Sequence, residues 1–118
     1  MLLVTAWLKA FLLTVVVETP IAAALFRSAE PRLSRRVALV LLANLASHPA
    51  VWFIFPELGL PYFPALLLAE TWAVLLEAGF YRLTFEKSDA VESLGISALA
   101  NGASLGLGLL VRAATGWV

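Results

Sequence analysis

The chain has 118 residues, 62% of them hydrophobic and 14% charged, where soluble domains hold about 45–50% apolar and about 25% charged residues. A water-soluble fold of this size would lack the polar side chains to cover its surface, so the composition points to an integral membrane protein. Eight basic residues balance eight acidic ones, which removes the charge signature of a nucleic-acid surface, and the absence of cysteine removes disulfides, thiol catalysis and thiolate metal sites.

Four apolar stretches follow one another, at 2–26, 37–55, 62–81 and 91–111. Each has roughly the 20 residues a helix needs to cross hydrocarbon. Runs such as Leu39-Val40-Leu41-Leu42 and Ala65-Leu66-Leu67-Leu68 do not alternate as transmembrane strands do. The expected fold is therefore an all-α integral membrane protein of four transmembrane helices, with residues 1–118 forming a single unit and no room for a soluble domain. Within the first stretch, Ala22-Ala23-Ala24 offers a signal-peptide cleavage site. No basic residue precedes Lys9 and Glu18 interrupts the apolar run, so a retained span is preferred.

Direction follows the positive charges. Arg27, Arg32, Arg35 and Arg36 separate the first two stretches, and Arg82 and Lys87 separate the last two, while the middle connection, 56–61, carries Glu57 and no basic residue. The basic loops are expected in the cytoplasm and both termini outside, in the plasma (inner) membrane. Trp7, Trp52, Tyr62 and Trp117 then fall at the outer interface, where aromatic belts lie. Lys9 and Arg112 sit on that side against the trend.

Two halves of the chain share a pattern. Leu42-Ala43-Asn44-Leu45-Ala46-Ser47 resembles Leu99-Ala100-Asn101-Gly102-Ala103-Ser104, Glu18-Thr19 resembles Glu70-Thr71, and Phe26-Arg27 resembles Tyr81-Arg82, in the same order. This predicts a duplicated hairpin, 1–60 and 61–118, with parallel repeats related by an axis along the membrane normal. In the fourth stretch, Ala98, Gly102 and Gly106 form a small-residue ridge suited to close helix packing, either on the second helix or on another copy of the chain.

Ionisable groups are costly inside a bilayer and usually face a bundle interior or cavity. At about 1.5 Å per residue from the cytoplasmic ends, Glu18, Asn44, His48, Glu70 and Asn101 all fall roughly 10–16 Å deep, near the middle of the hydrocarbon. Glu77 comes out shallower, at roughly 6 Å, either as a gate or entry residue or as an acid reaching the interface near Arg82, the second being preferred. Thr14 and Glu18, then Asn44, Ser47 and His48, then Glu70 and Glu77, then Ser97, Asn101, Ser104 and Gly108, each share a helix face, and the simplest arrangement points all four faces inward. Pro20 and Pro49 free the carbonyls of Val16 and Leu45 beside this layer.

Three functions compete. Carboxylates, amide oxygens and an imidazole make a site that binds or conducts a cation or protons, with Glu18, Glu70, His48, Asn44, Asn101 and Ser104 as its residues. Glu18 and Glu70 would be equivalent ligands from the two halves. With His48, they would be the ligands of a divalent metal cation. A second reading is an accessory subunit of a larger membrane complex, or a homo-oligomer such as a dimer, held by polar groups between helices. The third is an intramembrane hydrolase. Gly102-Ala103-Ser104-Leu105-Gly106 matches G-x-S-x-G, and a glycine-flanked serine with a histidine on another helix resembles rhomboid-type intramembrane proteases over those five residues. That resemblance implies Ser104 as nucleophile and His48 as base; a metal-assisted hydrolase on Glu18, Glu70 and His48 is its variant. The motif belongs to a strand-turn-helix elbow, and here it lies inside a helix, where Ser47 repeats it as a packing serine. Catalytic residues are therefore left unassigned, and the transport-like reading is preferred to an enzyme. No Walker loop, dinucleotide fingerprint or HExxH motif is present.

Overall fold

A computed structural model describes residues 2–117. It contains helices α1 (Leu2–Leu25), α2 (Leu33–Phe53), α3 (Tyr62–Thr84) and α4 (Ala90–Thr115), with a 3-10 turn at Phe55–Leu58 after α2 and no strand among the described residues. All four helices are long and apolar enough to cross a membrane. α1 and α2 continue through Pro20 and Pro49, whose missing N–H groups leave the carbonyls four residues earlier without their helical donor.

α2 begins at Leu33, several residues before the apolar stretch that predicted it. The cause is Arg36, which is buried and donates from its guanidinium to the Ala23 carbonyl near the end of α1. A basic residue expected in the loop is thus part of the helix contact. In that loop, Glu30 pairs with Arg32 at 2.9 Å and Arg35 at 3.3 Å. The Arg32 side chain, with its backbone N–H, holds the Glu30 carboxyl below its ordinary range.

α3 runs on to Thr84, and α4 ends at Thr115 where Gly116 takes a φ of 66°, a left-handed cap that glycine adopts without steric cost. α4 starts on Asp89, whose carboxylate accepts the Glu92 N–H at 2.7 Å. Asp89→Ala is expected to lower thermal stability by about 1 kcal/mol, as for other lost N-caps, read as a reduced melting temperature of the detergent-solubilised protein.

Each helix packs against its two neighbours in the order α1, α2, α3, α4 and back to α1, closing an up-down-up-down ring. The bundle measures 39 × 26 × 23 Å. At one end lie the α1–α2 and α3–α4 connections; we call it the loop end. There Phe26 and Phe85 stack at 4.2 Å and Tyr81 meets Phe26 edge-on at 4.9 Å, all three fully buried. Both connections start with the same turn: the Phe26 carbonyl accepts from the Ala29 N–H at 3.0 Å, and the Phe85 carbonyl from the Ser88 N–H at 2.9 Å. At the opposite, terminal end, Trp7 of α1 lies 5.6 Å from Phe53 of α2, and Lys9 sits 5.9 Å over the ring of Trp117.

Burial is inverted relative to a soluble bundle. Leu67 (71% exposed), Leu110 (66%) and Val16 (61%) face outward, while Glu18, Asn44, Ser47, Glu77 and Ser97 are fully enclosed. The small-residue ridge is also on the outside: Ala98, Gly102 and Gly106 are exposed, and a Cβ on either glycine would meet nothing within 4 Å. Inside the chain α4 therefore packs through a different face. Its buried positions Ser93, Ile96, Ser97, Ala100, Asn101 and Ser104 follow six of the seven in α2, namely Arg36, Leu39, Val40, Ala43, Asn44 and Ser47, at one constant spacing; the seventh, His48, matches the part-buried Leu105.

Candidate functional site

Buried polar groups in a low-dielectric interior must find partners, and here they find each other across helices. The Glu18 carboxylate on α1 accepts from the Ser104 hydroxyl of α4 at 2.7 Å. The Glu77 carboxylate on α3 accepts from the Ser47 hydroxyl of α2 at 2.6 Å and from the Asn101 amide of α4 at 2.6 Å. The Asn44 side chain of α2 faces Glu18, and the two carboxylates are close enough to interact electrostatically. Each glutamate is thus held by a serine from the other half of the chain and faces an asparagine of its own half.

Helix geometry explains the convergence. Asn44 and Ser47, like Asn101 and Ser104, are three residues apart on one helix face, so one face delivers an amide and a hydroxyl together. Asn44 and Asn101 also donate to the carbonyls four residues back, Val40 and Ser97, both at 3.0 Å, which fixes their amides in place. Glu18 Oε2, Asn44 Oδ1 and the Tyr81 hydroxyl are buried with no hydrogen-bond partner, and Tyr81 lies near both glutamates.

Above this floor is a cavity of about 180 Å³. Glu18, Glu77, Asn101 and Ser104 line its base, Leu13, Leu66 and Leu105 its walls, and Trp52, Tyr62 and Arg112 its rim at the terminal end. On the loop side it stops at Glu18 and Glu77, beneath which lies the Phe26–Tyr81–Phe85 stack. A second hollow of about 490 Å³ shares Val51, Trp52, Tyr62, Leu66 and Arg112 with it.

The residues singled out in the sequence meet only in part. Glu18, Ser104 and Asn101 share the base with Glu77, and Asn44 is buried beside Glu18. Glu70 is half-buried in the wall, nearer the terminal end, and does not pair with Glu18. His48 lines the cavity with Nε2 3.4 Å from the Thr14 hydroxyl and its ring edge-on to Phe11 at 5.3 Å. Among the described residues no three His, Asp or Glu side chains converge as a metal site, so the set Glu18, Glu70 and His48 is not assembled as ligands. Ser104 is also not paired with His48: its hydroxyl is turned to Glu18 and to the Asn101 carbonyl at 3.0 Å.

Glu77 is the main correction. Expected at the interface beside Arg82, it is 1% exposed and sits opposite Glu18. The depth estimate failed because it ended the third helix near Tyr81, whereas α3 continues to Thr84 and the chain stays buried to Phe85. The usable signal was aromatic: Glu77, Tyr81 and Phe85 recur at four-residue steps as Glu18, Ala22 and Phe26 do. Ser47 was seen as a packing residue and is instead a direct partner of Glu77.

No protein-family model matches this chain, and no curated protein or solved structure matches it.

Proposed function

We propose that this chain is an integral membrane protein whose central chamber binds or conducts protons or a cation through the paired carboxylates Glu18 and Glu77. The observation that carries this reading is the pair itself: two fully buried carboxylates from opposite halves, Glu18 on the Ser104 hydroxyl and Glu77 on the Ser47 hydroxyl and the Asn101 amide, at the base of a cavity open at one end. A buried like-charged pair is costly unless it takes up a proton or a cation. The 39 Å length and apolar exterior suit a bilayer about 40 Å thick with its headgroups. The basic loop end faces the cytoplasm in this reading, and the cavity opens outside with the termini.

The chain is read as two copies of one hairpin. Supporting this are the constant spacing of buried positions between α2 and α4, the matching turns after Phe26 and Phe85, and the crossed Glu–Ser bonds. The register pairs Glu18 with Glu77, not with Glu70. Tyr81 occupies the place of Ala22 in that register. Its unpartnered hydroxyl is the next polar atom toward the loop end and serves as a relay. Tyr81→Phe keeps the aromatic stack and removes the hydroxyl, so it should slow proton flux about tenfold with stability nearly unchanged.

Proton flux into vesicles reconstituted with the chain, followed with an internal pH dye under an imposed potential, tests the reading. Wild type is expected to exceed Glu18→Gln by at least about tenfold. Flux in Glu18→Gln equal to wild type would overturn the proton pathway. The exposed Ala98, Gly102 and Gly106 ridge favours a second reading, in which α4 docks on a helix of another copy or of a larger complex.

A further inference from the structure

The chamber's acceptors, walls and rim together describe what kind of cation fits it. Two buried polar atoms of its lining lack partners. Glu18 is fully buried, and its Oε2, at the base, has no partner. His48 Nδ1 is likewise unpartnered. In the tautomer whose Nε2–H donates to the Thr14 hydroxyl, 3.4 Å away, Nδ1 presents a lone pair. Glu70 adds a carboxylate from the wall above. These acceptors do not form a three-ligand metal set among the described residues. They suit a cation that brings several N–H donors of its own.

The walls are hydrocarbon. Leu13, Val51, Leu66, Leu105 and Leu109 line the cavity, and Trp52 and Tyr62 stand at the rim. A hydrated inorganic ion gains nothing from such walls, whereas an alkyl or aryl body is desolvated by them. The rim aromatics attract a passing ammonium through their ring faces. Arg112, exposed at the same rim, opposes it by like charge.

We propose that the chamber binds a small organic ammonium ion with an apolar body. The ammonium sits at the base, on Glu18 with His48 beside it, and the hydrocarbon lies against Leu13, Leu66 and Leu105, with the Glu70 carboxylate farther up the wall. This rests on the cation-binding reading above and names the class of cation.

Phenethylammonium binding to the purified full chain in detergent, measured by calorimetry, is the test. 2-Phenylethanol serves as the neutral control of like shape and zinc as the metal control. Saturable binding of phenethylammonium is expected, with neither control binding. Affinity should fall at least about tenfold in Glu18→Gln and in His48→Leu, which copies Leu105 at the corresponding position of α4, and should rise in Arg112→Gln. Melting temperatures of the variants report that they are folded. Equal binding of amine and alcohol, insensitive to Glu18→Gln, overturns the proposal. So does zinc binding that displaces the amine. No amine binding, with Glu18-dependent proton flux intact, overturns the ammonium assignment and leaves the proton site standing; loss of both overturns both.

Discussion

Glu77→Gln is expected to abolish Glu-dependent proton flux while leaving the bundle folded, and Glu77→Leu to unfold it substantially. A glutamine can still accept from the Asn101 amide and donate to the Ser47 hydroxyl, so both contacts of Glu77 survive without the ionisable group. Leucine strands both. Asn101 keeps the Ser97 carbonyl at 3.0 Å and Ser47 keeps only a long contact to the Asn44 carbonyl at 3.4 Å. Two weakened polar groups in a closed interior cost about 3 kcal/mol together. Parallel melting curves and flux assays of the two variants separate structural from chemical loss. Glutamine and leucine variants equally active would place Glu77 outside the pathway.

Phe26→Ala is expected to be the most destabilising single change at the loop end. Phe26 is fully buried, stacks on Phe85 at 4.2 Å and meets Tyr81 at 4.9 Å, so its removal empties the space that joins the two connections. Buried Phe→Ala changes cost about 3–5 kcal/mol, most where neighbours cannot collapse. Neighbouring Val40 and Ile96 sit on separate helices of the ring, which limits relaxation. Phe26→Leu should recover much of the loss, checked by thermal melts of both variants in one detergent.

The helices were legible because hydrocarbon-length apolar runs with non-alternating Leu and Val admit few alternatives. Polar residues at interior positions were legible for the same reason: Glu18, Asn44 and Asn101 stood out against an apolar background. Pairing was not legible. Glu70 matched Glu18 by its following threonine, yet Thr71 is exposed and bonds its own helix at Leu67, so that likeness was local. What the two connections share is burial at the loop end, at Phe26 and Phe85, which a third helix ending near Tyr81 would conceal. The partners of Ser104 and His48 were hidden for a related reason. Equal depth in two helices says nothing of direction within the ring, and His48 turns toward Thr14 of α1. Arg36 showed the same limit, since a charge next to a span looks like a loop until its carbonyl partner, Ala23, is known.

A double-mutant cycle on proton flux in reconstituted vesicles tests the shared chamber most directly. With wild type, Glu18→Gln, Glu77→Gln and the double variant compared, two carboxylates working as one unit predict that each single change silences flux as fully as both together. Independent, multiplying losses, or a single variant that retains wild-type flux, would contradict a common site for Glu18 and Glu77.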